Sequence, residues 1–177
     1  MNELFILGEL MEGPHNGYQL RQAMPLCLTR HHKLSYGVVY PLLAKLEAAG
    51  YLQPVSTGPE KEKPAMQLTD AGRARFFELM AEPVPDGAHT DEIYMIKLDA
   101  MQHLPLADQL ALLATYRAEQ SEIIKDAQTA LTQLAVEQSR DHWYAQRKFE
   151  LRLAQAQLAL RWATDFGVRL QHQEDPE

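Results

Sequence analysis

Seven histidines, one cysteine and 24 carboxylates are the residues of this 177-residue chain with the side chains for metal, nucleophilic or acid–base chemistry. Their spacing speaks against all three. His31 and His32 are adjacent, while His15, His89, His103, His142 and His172 are scattered. No two stand four apart on one helix, the spacing that would aim a pair of imidazoles at one zinc ion. Cys27 has no cysteine partner and lies between Leu26 and Leu28. Nothing beside it would stabilise a thiolate, so it reads as a small buried hydrophobe. Asp91, Glu92 and Asp126 read as unpaired carboxylates on helix surfaces, and neither a glycine-rich phosphate loop nor a nucleophile elbow occurs. The expectation is a protein that is not an enzyme and takes no metal and no cofactor.

A second set of residues is suited to binding phosphate. Ser35 precedes an apolar-periodic stretch, and Gly50 is placed to close it. On a wheel of about 100° per residue, Val39, Leu42, Leu43 and Leu46 point one way. The opposite arc has Gly37, Pro41, Ala44 and Ala48 at its centre, with Tyr36, Tyr40 and Lys45 at its edges. A merely solvated helix usually carries long charged side chains outward. Small ones let a backbone approach another surface closely. Tyrosines can bond phosphate and pack against sugar or a thymine methyl, Lys45 can neutralise phosphate, and the helix start offers amide donors. Lys33 stands just ahead of this helix, and Lys61 and Lys63 lie further on, alternating with Glu60 and Glu62. The arc holds no Arg, Asn or Gln, so sequence reading would rest on DNA shape or on Gln19, Arg21 or Arg30.

These residues need elements to carry them. Leu4, Leu7 and Met11 follow helical spacing, and Gly13-Pro14 stops that helix. A second helix is expected from Asn16 as cap to Met24, with Pro25 ending it. The stretch after Ser35 is the third. Tyr51–Val55 and Ala65–Leu68 read as two short strands around the polar tip STGPEKEKP, and Thr69 caps a fourth helix carrying Phe76, Leu79 and Met80 inward. Three helices, a hairpin and a helix form the layout of a winged helix-turn-helix, in which one helix enters the major groove and the wing lies along the backbone.

Residues 81–90, with two prolines and a glycine, read as a linker between domains at 1–80 and 91–177. The second is helical: Asp91–Met101, Pro105–Gln138 and Asp141–Leu170. The middle segment would be a rod of about 51 Å. Leu106, Leu110, Leu113, Ile124, Ala127, Leu131 and Leu134 on one helix, and Phe149, Leu153, Ala156, Leu160, Ala163, Gly167 and Leu170 on the other, form seams that ask for a partner. A second copy of the chain is the economical one. The aromatic residues Tyr94, Tyr116, Trp143, Tyr144 and Trp162 can line a pocket for a flat effector or serve as core and dimer contacts. The fold class is thus mainly α with a small β-hairpin wing: an N-terminal winged helix-turn-helix followed by a long-helix C-terminal dimerisation domain.

Net charge is −7, which taken alone disfavours a nucleic-acid partner. Its location changes the reading. Residues 1–80 hold eight basic and eight acidic residues, and 81–177 hold nine and sixteen. Between Arg21 and Lys63 there are six basic residues and three acidic ones. One cysteine, no apolar run approaching a membrane span, and an opening Met1-Asn2-Glu3 without secretory features make a cytoplasmic location the expectation.

Phe5-Ile6-Leu7-Gly8-Glu9-Leu10 followed by Gly17-Tyr18-Gln19-Leu20 resembles the opening of the PadR family of transcriptional regulators. Leu34 to Leu43 (LSYGVVYPLL) and Leu46 to Leu52 (LEAAGYL) are similar to its recognition helix, and Leu68 to Arg73 (LTDAGR) to the strand-to-helix signature after its wing. These blocks stand in order over residues 4–73. Glu150–Leu153 and Leu160–Trp162 are similar to the longer-tailed subfamily. The resemblance implies a homodimeric regulator of double-stranded DNA, commonly a repressor, and for some relatives a phenolic or other small aromatic effector. The wing departs from the family pattern, since Pro64-Ala65-Met66-Gln67 stands where basic and aromatic residues are common. The competing reading is a winged-helix protein-interaction adaptor whose small-residue face docks a protein, with no DNA role. A third is an aromatic-binding protein whose pocket is its main function.

Overall fold

A computed structural model describes residues 1–28, 35–55, 64–136 and 140–172. It divides into two compact units, Met1–Leu104 and Pro105–Glu177. In the first, helices α1 (Asn2–Glu12), α2 (Gly17–Cys27) and α3 (Tyr36–Ala48) precede strands β1 (Leu52–Val55) and β2 (Ala65–Leu68), then α4 (Asp70–Ala81), α5 (Thr90–Ala100) and a 3-10 turn at Met101–His103. In the second, α6 (Leu106–Val136) packs along α7 (Arg140–His172). The expected linker at 81–90 therefore lies within the first unit, because α5 packs on α1 and α2.

α1 is the hub of the first unit. In place of a narrow apolar stripe it has a nearly all-round buried surface: Leu4, Phe5, Ile6, Leu7, Gly8 and Leu10 are all buried. The reason is that α2, α4, α5 and β2 all pack on it. Arg75 ties α4 back to α1 through Glu3, with Nε to Oε1 at 2.9 Å.

Local chemistry sets the helix ends. Asn16 accepts from the amides of Tyr18 and Gln19, both at 3.0 Å, while Gln19 Oε1 accepts from the Asn16 amide at 2.8 Å. This reciprocal box satisfies donors that a helix start otherwise leaves orphaned. α2 runs on to Cys27, past the end at Met24 that Pro25 predicts. Proline's fixed φ is compatible with a helix, and near the C-terminus it forfeits only one hydrogen bond. α3 closes at Gly50, whose φ of 77° is the left-handed conformation that glycine takes without a Cβ penalty. The amide of Tyr51 then donates to Leu46 O and that of Gly50 to Glu47 O, satisfying two terminal carbonyls. Thr69 caps α4 by accepting from the Gly72 amide at 3.1 Å and also donates to Gly50 O at 2.6 Å, which pins the end of α3 to the start of α4.

The strands pair antiparallel in the register Leu52↔Leu68 to Val55↔Ala65. A further antiparallel bridge joins His15 to Met66 through two backbone hydrogen bonds of 3.1 and 2.9 Å. The β2 residues that depart from the usual wing pattern are thus employed inward, with Ala65 and Met66 buried.

In the second unit the expected seams meet. Leu113, Ala127, Ala156 and Ala163 are buried, and Tyr116 and Gln120 fill the gap in the α6 seam between Leu113 and Ile124. Gly167 admits Leu113 against the α7 backbone, within 3.7 Å of where a Cβ would stand. No described helix is long and apolar enough to cross a membrane.

Candidate nucleic-acid interface

The helical wheel describes α3 well. Val39, Leu43 and Leu46 are buried and Leu42 is half-buried, while Gly37, Pro41, Ala44, Lys45 and Ala48 are exposed. Pro41 sits inside the helix on this outward arc. Lacking an N–H, it presents only ring carbon there, in keeping with the smooth surface around it.

Ser35 holds the N-cap position with extended backbone, φ −76° and ψ 157°, yet its side chain makes no capping hydrogen bond. The hydroxyl that the sequence assigns to a helix amide is not used for it. The Ser35 carbonyl accepts the first helical hydrogen bonds, from the Val38 and Val39 amides at 3.0 and 3.1 Å. The α3 start therefore carries no side-chain cap among the described residues, and the partial positive charge of the helix N-terminus lies at an exposed surface. A phosphate is the complementary group.

The tyrosines form a column with α2. Tyr40 is half-buried, and its ring lies on Gly17: a Cβ there would come within 2.9 Å of Tyr40 Cε1. Only glycine admits so close an approach. Tyr36, 50% exposed, stacks on Tyr40 with centroids 5.8 Å apart and planes 13° from parallel. The Arg21 guanidinium covers Tyr36 at 3.7 Å from the ring centroid. Beside this column Gln22 donates to the Tyr18 hydroxyl at 2.7 Å, and Tyr18 is 53% exposed.

Ser35, Tyr36, Gly37, Tyr40 and Lys45 thus share one helix and its cap, as the sequence suggests. Lys33, Lys61 and Lys63 lie outside the described residues, as does Arg30. Of the side chains offered as base readers, Gln19 has its carbonyl oxygen engaged in the α2 capping box and Arg21 lies over Tyr36. Sequence reasoning missed Tyr18, Gln22 and the Arg21 stack. The signal was available: Gly17 and Arg21 are one turn apart on α2, as Tyr36 and Tyr40 are on α3, so the two pairs can pack as a ladder.

Cys27 is half-buried in a small cleft that Glu9, Glu12 and Asp99 also line. Burial, then the Asp99 carboxylate, pushes the thiol up to about 12, so it stays protonated and a poor nucleophile. Among the described residues no group of three or more His, Cys, Asp or Glu is arranged to hold a metal ion.

Helices α2 and α3, with the small-residue face of α3 turned outward, and a two-stranded wing define a winged helix-turn-helix. Residues 6–78 match the model of the transcriptional regulator PadR-like family. Among solved structures, a PadR-like transcriptional regulator from Bacillus cereus is 17% identical over 98% of this chain and 100% of that one, with a TM-score of 0.42. Bacillus subtilis PadR in complex with operator DNA is 19% identical, covering 95% of this chain and 96% of its own, at a TM-score of 0.43. The same protein in complex with p-coumaric acid is 18% identical, with 96% and 98% covered and a TM-score of 0.42. No curated protein matches the chain.

Proposed function

We propose that the chain is a DNA-binding transcriptional repressor that occupies a palindromic operator as a homodimer. The observation that carries this reading is the outward arc of α3: a side-chain-uncapped N-terminus, small residues along the middle, and Tyr36, Tyr40 and Lys45 at the edges. Such a surface lets the helix backbone enter a groove, with phosphate and sugar contacts at its borders. The match of residues 6–78 to the model of a family of transcriptional regulators supports it.

The dimer is proposed to form through residues 91–177, within which α7 carries a second apolar line. Tyr144, Leu151 and Leu158 recur every seven residues and are 60%, 59% and 62% exposed, with Trp162 beside them at 46%. A heptad line left in water while the inner seam is already occupied by α6 is suited to a partner helix. Two heads related by a two-fold axis would place their third helices in successive major grooves about 34 Å apart. Release by a small aromatic or phenolic effector completes the proposal. Such a ligand must bind one arrangement of the dimer better than the other to act.

A gel-shift titration against the DNA upstream of the chain's own gene tests this reading. Lys45→Ala is the clean probe, because Lys45 is exposed whereas Tyr40 also supports the packing of α3 on α2. The variant should weaken operator binding and reduce the salt slope by roughly 0.9 for each phosphate it no longer neutralises. Wild-type affinity in Lys45→Ala would remove α3 from the interface, and no binding by the wild type would favour a protein-docking adaptor. Adding phenolic acids to the bound complex tests the effector, with operator release as the expected result.

A further inference from the structure

The Gly17–Tyr40–Tyr36–Arg21 column has an order that matters. Its base is closely packed: a Cβ on Gly17 would come within 2.9 Å of the Tyr40 ring. Its middle, Tyr36, is half exposed on the first turn of α3. A half-exposed tyrosine on a first helical turn has little to choose its rotamer for it. Here one ring face meets Tyr40 and Arg21 covers the ring at 3.7 Å. The ring is therefore packed against both a neutral and a cationic plate, and its 50% exposure leaves part of it for another molecule to meet.

We propose that Arg21 is a positioning residue for DNA recognition: by clamping Tyr36 against Tyr40 it sets the ring that α3 presents to the groove. This rests on the reading of α3 as the recognition helix. It assigns an α2 residue a role exercised through α3 and not through a base edge. The clamp depends on planarity as well as charge, since guanidinium stacks flat on a ring face whereas an ammonium is a compact, strongly hydrated point charge. Arg21→Lys therefore keeps the charge and loses the function.

The test is a set of operator-binding isotherms, each at several salt concentrations, on the full chain. Wild type, Arg21→Ala, Arg21→Lys, Tyr36→Ala and the double variant Arg21→Ala/Tyr36→Ala are compared, with thermal melts in parallel. Loss of the clamp in both heads of a dimer should weaken binding roughly 5–30-fold. Arg21→Lys should be impaired nearly as much as Arg21→Ala, with its salt slope equal to that of wild type. The double variant should bind no more weakly than Tyr36→Ala, because Arg21 has nothing left to position. Arg21→Gln replaces Arg21→Ala if the latter melts early.

Three results would overturn the proposal. Full rescue by Lys would make Arg21 a simple phosphate contact. Additive losses in the double variant would make it independent of Tyr36. Unchanged binding in Arg21→Ala would make it dispensable. A wild-type chain that binds no upstream DNA is a separate outcome, which sinks the DNA reading and takes this assignment with it.

Discussion

Glu9 sits where three carboxylates converge. It shares the small cleft with Glu12 on α1, Asp99 on α5 and Cys27 at the end of α2, and Glu12 accepts from Gln102 Nε2 at 2.9 Å. Burial first, then Glu12 and Asp99, pushes its carboxyl from 4.5 up to about 7. The folded chain thus holds a proton between pH 4.5 and 7 that the unfolded chain has released. Glu9 favours the folded state fully below pH 4.5, and that contribution is lost as pH rises through 7. Glu9→Gln should remove this dependence, melting roughly 2–4 °C above wild type at pH 8 and close to it at pH 5. Parallel melting curves at both pH values would show that Glu9 does not titrate there. None of this was legible in the sequence, because Glu9 and Asp99 are 90 positions apart and only the packing of α1 on α5 brings them together.

Among the elements, the junction of α4 and α5 turns on one lysine. Lys97 is 3% exposed, and its ammonium donates to Met80 O at 2.9 Å and to Glu82 O. It supplies donors to the carbonyl end of α4, where the helix dipole favours a cation. Burial holds its pKa below the usual lysine range, opposed in part by the Glu82 charge. Lys97→Met would leave carbonyls without this donor and should cost about 2–4 kcal/mol in urea unfolding. Lys125→Met, removing an exposed pair with Glu122, should cost little. An equal effect at both positions would contradict the buried role. Most elements were readable in advance, because each carries a local signal: Asn16 and Thr69 as caps, Gly50 as a stop, Ser35 ahead of an apolar period. The departures arose where tertiary packing outweighed that signal. Pro25 lies inside α2, and α1 is buried on more faces than a single stripe predicts.

For the whole molecule the division of charge is subtler than a split at residue 80 suggests. The compact unit Met1–Leu104 holds nine basic and thirteen acidic residues, so acid is not confined to the long helices. Within that unit the cationic groups of the proposed interface, Arg21 and Lys45, lie on α2 and α3, while Glu9, Glu12 and Asp99 lie on α1 and α5. Such a head has modest electrostatic grip, so operator affinity should depend on two heads acting together. Leu151→Glu with Leu158→Glu should convert a dimer to monomer in analytical ultracentrifugation and weaken operator binding by at least about 10²-fold. Retention of the dimer in that variant would remove the outer line of α7 from the interface. That line was only half legible: its heptad spacing is in the sequence, but which of two α7 faces α6 covers depends on the fit of Ala156, Ala163 and Gly167 against α6.

The His15–Met66 bridge has a consequence for how such a chain can change. It joins the wing to the entrance of α2 with main-chain groups alone, so almost any side chain at position 15 would preserve it, and proline there would remove one of its two donors. β2 therefore stays fastened to the start of α2, one of the helices of the proposed interface, through backbone groups that side-chain changes do not touch. On the proposed reading, a chain of this kind can therefore vary the side chain at position 15 without unfastening β2 from the α2 helix on which Tyr40 rests.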